Sequence, residues 1–174
     1  MTRADRENRL EGLIRANASD VLAYLERRID ARADAADILS ETLIVAWKKA
    51  GRAPIDEIDG RMWLFAIARN ALLNARRAAR RRLAATERLR SELEHSPAKL
   101  GEDVLDAIAV RRAVQQLPHE LGELVELVHW EGFSVVEAAQ VMGISASTAR
   151  SRYMSAKGRL RAALVAASED ANRR

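Results

Sequence analysis

The sequence predicts an all-α protein made of two small helical domains joined by a polar linker, the second carrying a helix-turn-helix. Three observations predict it. Charged residues make up 31% and aromatics only 4% of the 174 residues, and a chain rich in Ala, Leu, Arg and Glu favours helix. Apolar residues recur at spacings of three, four and seven, with no alternating stretch of strand length. One polar segment containing SPAKLGED, with Pro97 and Gly101, interrupts the pattern. The expected first domain is residues 1–84, the linker 85–102 and the second domain 103–174.

The first domain opens with a stripe of Leu10, Leu13, Ile14, Val21, Leu22, Leu25 and Ile29, with a break expected near Asn17–Ser19. Asp34 is expected to cap the next helix, with Asp37 as its reciprocal partner three residues on. That helix should bury Ile38, Leu39, Thr42, Leu43, Ala46 and Trp47 and stop near Gly51 and Pro54. GRAPIDEIDG reads as a loop, and a long helix is expected from about Arg61 into an arginine run.

That helix, RMWLFAIARNALLNARRAARRR, is apolar nearly all round in its first half and strongly basic in its second. Asn70, Asn74, Arg77 and Arg81 fall on one face, and Arg69, Arg76, Arg77, Arg80, Arg81 and Arg82 have no acid among them. Helices stabilised by their own charges interleave both signs, so six arginines without acids point to an anion such as nucleic acid. A solvated charged face is the simpler alternative. Phe65 is expected in the core, while Trp63 suits either the core or stacking on an exposed base.

In the second domain, Val104, Ile108, Val114 and Leu117 predict a helix ending before Pro118, and Leu121, Leu124, Val125, Leu127 and Val128 another. SVVEAAQVMGISASTARSR then supplies a helix-turn-helix. Ser134 and Glu137 have capping-box spacing, Gly143 stands where a left-handed residue closes a helix, and Ser145 caps the next one. Ala149, Tyr153, Ala156 and Leu160 should face the core. Ser147, Thr148, Arg150, Ser151 and Met154 lie largely outside that stripe. No acid occurs between Gln140 and Lys157, as a phosphate-facing helix requires. An ordinary helical hairpin with a solvated face remains the alternative.

The net charge of +4 is compatible with nucleic acid but weak evidence by itself. With no cysteine, disulfides, thiol catalysis and cysteine-held zinc are excluded. His95, His119 and His129 form no HExxH-type pair, and there is no glycine-rich phosphate loop, so no catalytic residue, metal or cofactor is expected. No apolar run approaches a membrane span, and the charged N-terminus does not resemble a signal peptide, so a cytoplasmic protein without membrane insertion is expected. A self-sufficient repressor or activator would explain the helix-turn-helix alone. An interaction module for an acidic protein would explain the basic faces alone.

Three ordered segments resemble the extracytoplasmic-function (ECF) sigma factors, small two-domain sigma subunits of bacterial RNA polymerase. DAADILSETLIVAWKKA (Asp34–Ala50) resembles region 2.2 of that family. RMWLFAIARNALLNARRAARRR (Arg61–Arg82) resembles regions 2.3 and 2.4, and Leu117–Leu164 resembles region 4. The resemblance implies that Asp34, Asp37, Ser40 and Glu41 dock on core RNA polymerase, where the family often has glutamine at the Ser40 position. It implies that Arg61, Trp63, Asn70, Asn74, Arg76 and Arg77, with Arg80 and Arg81 of the same basic run, melt and read the −10 element. Loop Gly51–Gly60 would correspond to the one that captures a flipped base, although Asp56, Glu57 and Asp59 make it acidic. Ser147, Thr148, Arg150, Ser151 and Arg152 would read the −35 element of promoter DNA. An anti-sigma factor that covers these faces is an implied partner.

Overall fold

The computed structural model describes residues 2–29, 31–87 and 105–172. The chain forms two compact units, Met1–Leu93 and Glu94–Arg174. Among the described residues every regular element is helical, and no helix is long and apolar enough to cross a membrane.

The first unit packs three helices against one another: α1 (Arg3–Glu26), α2 (Arg32–Lys48) and α3 (Glu57–Glu87). Thr2 and Asp5 form a capping box at the start of α1. The Thr2 backbone N–H donates to the Asp5 carboxylate at 2.8 Å and holds its pKa below the ordinary value, while the Asp5 N–H donates back to the Thr2 hydroxyl at 3.1 Å. The expected break at Asn17–Ser19 does not occur. Asn17 is buried and its Nδ2 donates to the Leu13 carbonyl at 2.9 Å, which places the amide inside a continuous helix. Leu10, Val21, Tyr24 and Leu25 of α1 meet Ala35, Ile38 and Ala46 of α2 and the fully buried Leu64, Phe65 and Ala68 of α3. The Tyr24 and Phe65 rings pack edge to face with centroids 5.5 Å apart. Buried Thr42 returns its hydroxyl to the Ile38 carbonyl at 2.7 Å, which satisfies it without a tertiary partner.

Three further expectations change. Asp34 is not the cap of α2. The helix begins at Arg32 after Ala31, which makes no side-chain cap bond, and Asp34 lies in the first turn. There its charge still favours the positive helix end. Trp47 is half exposed rather than buried, because α2 buries Ala35, Ile38, Thr42 and Ala46 and turns the next residue outward. The loop after α2 is shorter than expected. A 3-10 turn covers Ala50–Arg52, and Asp56 accepts from the Ile58 and Asp59 N–H groups at 2.9 and 3.0 Å, so α3 starts at Glu57. At its far end α3 continues to Glu87, beyond the expected domain edge. Residues 88–102 of the expected linker, His95 and Val104 lie outside the described residues, as does the side chain of Ile108.

The second unit packs α4 (Leu105–Gln115), α5 (His119–His129) and α6 (Val135–Met142) against α7 (Ala146–Asn172). Leu124, Leu127, Phe133, Ala138, Val141, Ala149 and Ala156 are buried at its centre. The expected caps are present. Ser134 and Glu137 exchange bonds of 2.7 and 3.2 Å, and Ser145 Oγ accepts from the Thr148 N–H at 3.1 Å. Gly143 has φ +67°, and the Ile144 N–H reaches back to the Ala139 carbonyl at 3.0 Å.

Two glycines should respond with opposite sign to alanine. Gly143→Ala forces a side chain into the left-handed region and should cost about 1–2 kcal/mol. Gly158 lies within α7, where an added Cβ meets nothing, so Gly158→Ala should stabilise by about 0.5–1 kcal/mol. Denaturant unfolding of the full chain followed by circular dichroism checks both.

Candidate nucleic-acid interface

The second half of α3 leaves the core gradually. Ala71 and Leu72 are still buried, whereas Asn70, Asn74, Arg77, Arg80, Arg81 and Arg82 are exposed. The arginines are not all alike. Arg76 is half-buried, and its Nη2 donates to the Arg28 carbonyl at the end of α1 at 3.0 Å. Arg28 itself lies over the Tyr24 ring, 3.9 Å from its centroid, and donates to the Tyr24 carbonyl at 3.0 Å. Arg76 is therefore a brace between α3 and α1, which corrects the picture of six arginines without partners. Arg69 and Arg82 also have interactions within the chain.

Asp34, Asp37 and Glu41 of α2 line a groove of about 760 Å³ whose opposite wall holds Asn74, Arg76, Arg81 and Arg82 of α3. Ile38, Leu72, Ala75 and Ala78 supply apolar surface between the walls. The acidic and basic residue sets that the sequence presents as separate surfaces thus meet across one groove. Ser40 is not among its lining residues, and its hydroxyl donates to the Ala36 carbonyl at 2.9 Å. Asn70, Arg77 and Arg80 are exposed outside this groove.

A smaller cavity of about 480 Å³ lies between α1 and the start of α3, lined by Arg9, Leu13, Asn17, Pro54, Ile55, Ile58 and Arg61. Arg61 is anchored there. It pairs with Asp20 at 3.2 Å, and its guanidinium carbon stands 4.9 Å from the Phe65 ring centroid. Ile55 is 78% exposed at the rim. The acidity of this loop has a structural cause at Asp56, which is spent on capping α3. Phe65 is buried, as expected, and Trp63 is half-buried.

In the second unit Ser147, Thr148, Arg150 and Ser151 are exposed on α7. Ser145, Ser147 and Thr148 share a hydroxyl cluster at the helix start, with oxygens 2.8–2.9 Å apart. At about 100° per residue, Ser151 stands roughly 200° from buried Ala149 while Arg152 stands only about 60° away. Arg152 accordingly points along the flank and forms an ion pair with Glu120 in the first turn of α5. The structure places it apart from the other four. His129 stacks on Tyr153, with Nε2 2.9 Å from the phenol oxygen, so these rings tie α5 to α7.

Comparison with known proteins agrees with both units. The model of Sigma-70 region 2 matches residues 13–82, and that of Sigma-70 region 4 matches residues 107–160. The chain belongs to the ECF sigma factors. It is 28% identical over 157 residues to the ECF RNA polymerase sigma factor SigL of Mycobacterium tuberculosis, covering 89% of this chain and 88% of that one. It is 35% identical over 126 residues to the ECF sigma factor BldN of Streptomyces coelicolor, covering 71% of this chain and 48% of that one. The fold is similar to that of the sigma factor RpoE of Bartonella quintana, solved in complex with the anti-sigma factor NepR. The TM-score is 0.68 at 24% identity, over 88% of this chain and 95% of that one. An ECF sigma factor directs promoter-specific transcription initiation, and that is this protein's function.

Sequence reasoning missed two roles in this ECF sigma factor. Arg76 as a brace is a contact across 48 residues, and no local pattern signals it. Glu120 as the partner of Arg152 was equally hidden. Arg76→Ala should destabilise the first unit by about 1 kcal/mol, whereas exposed Arg80→Ala should stay within about 0.5 kcal/mol of the parent. A double-mutant cycle on Glu120 and Arg152 should return a coupling below about 1 kcal/mol, since both ends are partly solvated. Chemical denaturation reads all of these.

Proposed function

We propose that this sigma factor docks on core RNA polymerase through the α2 wall of the groove, with Asp34, Asp37 and Glu41 as the principal contacts and Ser40 at its border. The observation that carries this reading is the groove itself, where one wall is acidic and the other basic. A partner helix seated on α2 leaves Arg77, Arg80 and Arg81 available to a DNA strand. Arg77, Arg80, Arg81, Asn70 and Asn74 hold the opened −10 strand, with Arg61 and Trp63 bordering the capture of an unstacked base. Base extraction costs a few kcal/mol, and a basic, partly apolar site returns energy of that order through stacking and phosphate contacts. Ser147, Thr148, Arg150 and Ser151 face the −35 major groove, and Arg152 supports the helix through Glu120. The two-domain division 1–84 and 103–174 belongs to the same proposal, since two modest contacts gain avidity when joined.

An anti-sigma factor that covers the α2 wall and the basic face would hold the protein inactive in the cytoplasm. The absence of cysteine places any thiol-based sensing in that partner.

Run-off transcription with core polymerase on a genomic fragment library tests the reading. Specific transcripts are expected, and neither transcripts nor core binding would overturn it. Glu41→Lys should weaken core binding roughly tenfold, as a reversed charge at an interface does. Arg77→Glu with Arg81→Glu should abolish permanganate reactivity of the −10 strand while leaving the −35 footprint. Arg150→Ala should cost about 1–3 kcal/mol at one −35 position if it contacts a base, read by competition with promoter variants.

A further inference from the structure

We propose that Met154 is a specificity-determining residue that reads the C5 methyl group of a thymine in the −35 element. This deepens the reading of α7 as the helix that enters the major groove and rests on it.

Met154 is 66% exposed, although α7 buries Ala149 and Ala156 and packs through Tyr153 and Leu160. The fold does not use its side chain. About 140° from Ala149 on the helix circumference, it belongs to the outward face with Ser147, Ser151, Ser155 and Gly158. Those four are small, and exposed Arg150 stands one turn before Met154 on the same side. Met154 is the apolar side chain that a surface approaching this face meets, and Gly158, whose added Cβ would meet nothing in the fold, leaves room beside it.

Arg150 and the serines offer polar contacts to phosphate or to base edges, and none of them offers an apolar one. A serine hydroxyl donates or accepts and suits several base edges. Ser147 is already engaged with the Ser145 hydroxyl. Arg152, the natural reader of guanine, is on the flank with Glu120. The apolar side chain among them is an unbranched thioether. The apolar feature that distinguishes base pairs in the major groove is the thymine methyl, and a flexible, polarisable side chain adapts to it well. The surroundings favour a polyanion over an acid-bearing protein surface with complementary bases, because no acid occurs from residue 138 to residue 168, while Arg150 and Lys157 flank the face.

The test uses holoenzyme reconstituted with core polymerase on a promoter found by run-off transcription. Each thymine of the −35 element is replaced singly by deoxyuridine, which removes only the methyl. At one position this should weaken wild-type binding about fourfold, the value of one buried methyl. Met154→Ala should lose a similar factor on the thymine promoter and become indifferent to uridine at that position. Met154→Leu should keep most of the discrimination. Because the side chain is exposed, the melting temperature of Met154→Ala should match the parent. Full thymine–uridine discrimination by Met154→Ala, or no methyl-dependent position in the wild type, overturns the proposal. A −35 footprint that persists in those cases leaves the reading of α7 standing. No −35 protection at all removes that reading and the proposal with it.

Discussion

The first unit depends on α3 being one unbroken helix. Its N-terminal half is fixed by burial of Leu64, Phe65 and Ala68 against α1 and α2. Its C-terminal half carries the basic residues. At 1.5 Å per residue a helix of 31 residues extends about 46 Å. Burying one end therefore aims the other. The Asp56 cap sets where the helix begins, and the Arg76 bond to the Arg28 carbonyl limits how far the basic half can swing from α1. Like charges along Arg77–Arg82 repel, and an isolated helix of that composition would be weakened by them. The packed half holds the charged half in helical form.

In the second unit the same division of labour is achieved with short helices. α6 has eight residues and would not persist alone in water. Its capping box, the left-handed Gly143 and contacts with α5 and α7 hold it. That makes the turn into α7 a fixed corner, so the outer face of α7 is presented at a constant angle. The ion pair between Arg152 and Glu120 and the stacked His129 and Tyr153 brace α7 on its inner flank. Each is modest, being partly solvated, but they lie beside a core of Val114, Val125 and Ala156 that restricts the same motion.

The groove between α2 and α3 puts opposite charges on facing walls. Such an arrangement favours a partner that brings its own bases to α2 and leaves the α3 arginines for phosphate. On the proposed assignment of its two walls, a protein lying across the groove competes with both polymerase and DNA, so one inhibitory contact blocks two steps.

The sequence alone determined the all-helical class, the two-part organisation, the caps at Ser134 and Ser145, the left-handed Gly143 and the basic stripe Asn70–Arg81. Each of these rests on local spacing, where residues three or four apart share a face and a cap requires a short polar side chain. It also carried the three ordered segments that mark the family. It misjudged positions where two local rules compete. Asp34 has a capping residue's chemistry but sits one turn inside, Asn17 resembles a breaker but bonds its own helix, and Trp47 looks like core but falls past the buried stripe. Only the tertiary structure decided which charges are engaged. Arg76, Arg61 and Arg152 differ from Arg77 and Arg150 through the Arg28 carbonyl, Asp20 and Glu120, which lie 48, 41 and 32 residues away in sequence. Periodicity can say that an arginine is on the surface. Whether that surface is already occupied depends on chain packing at long range.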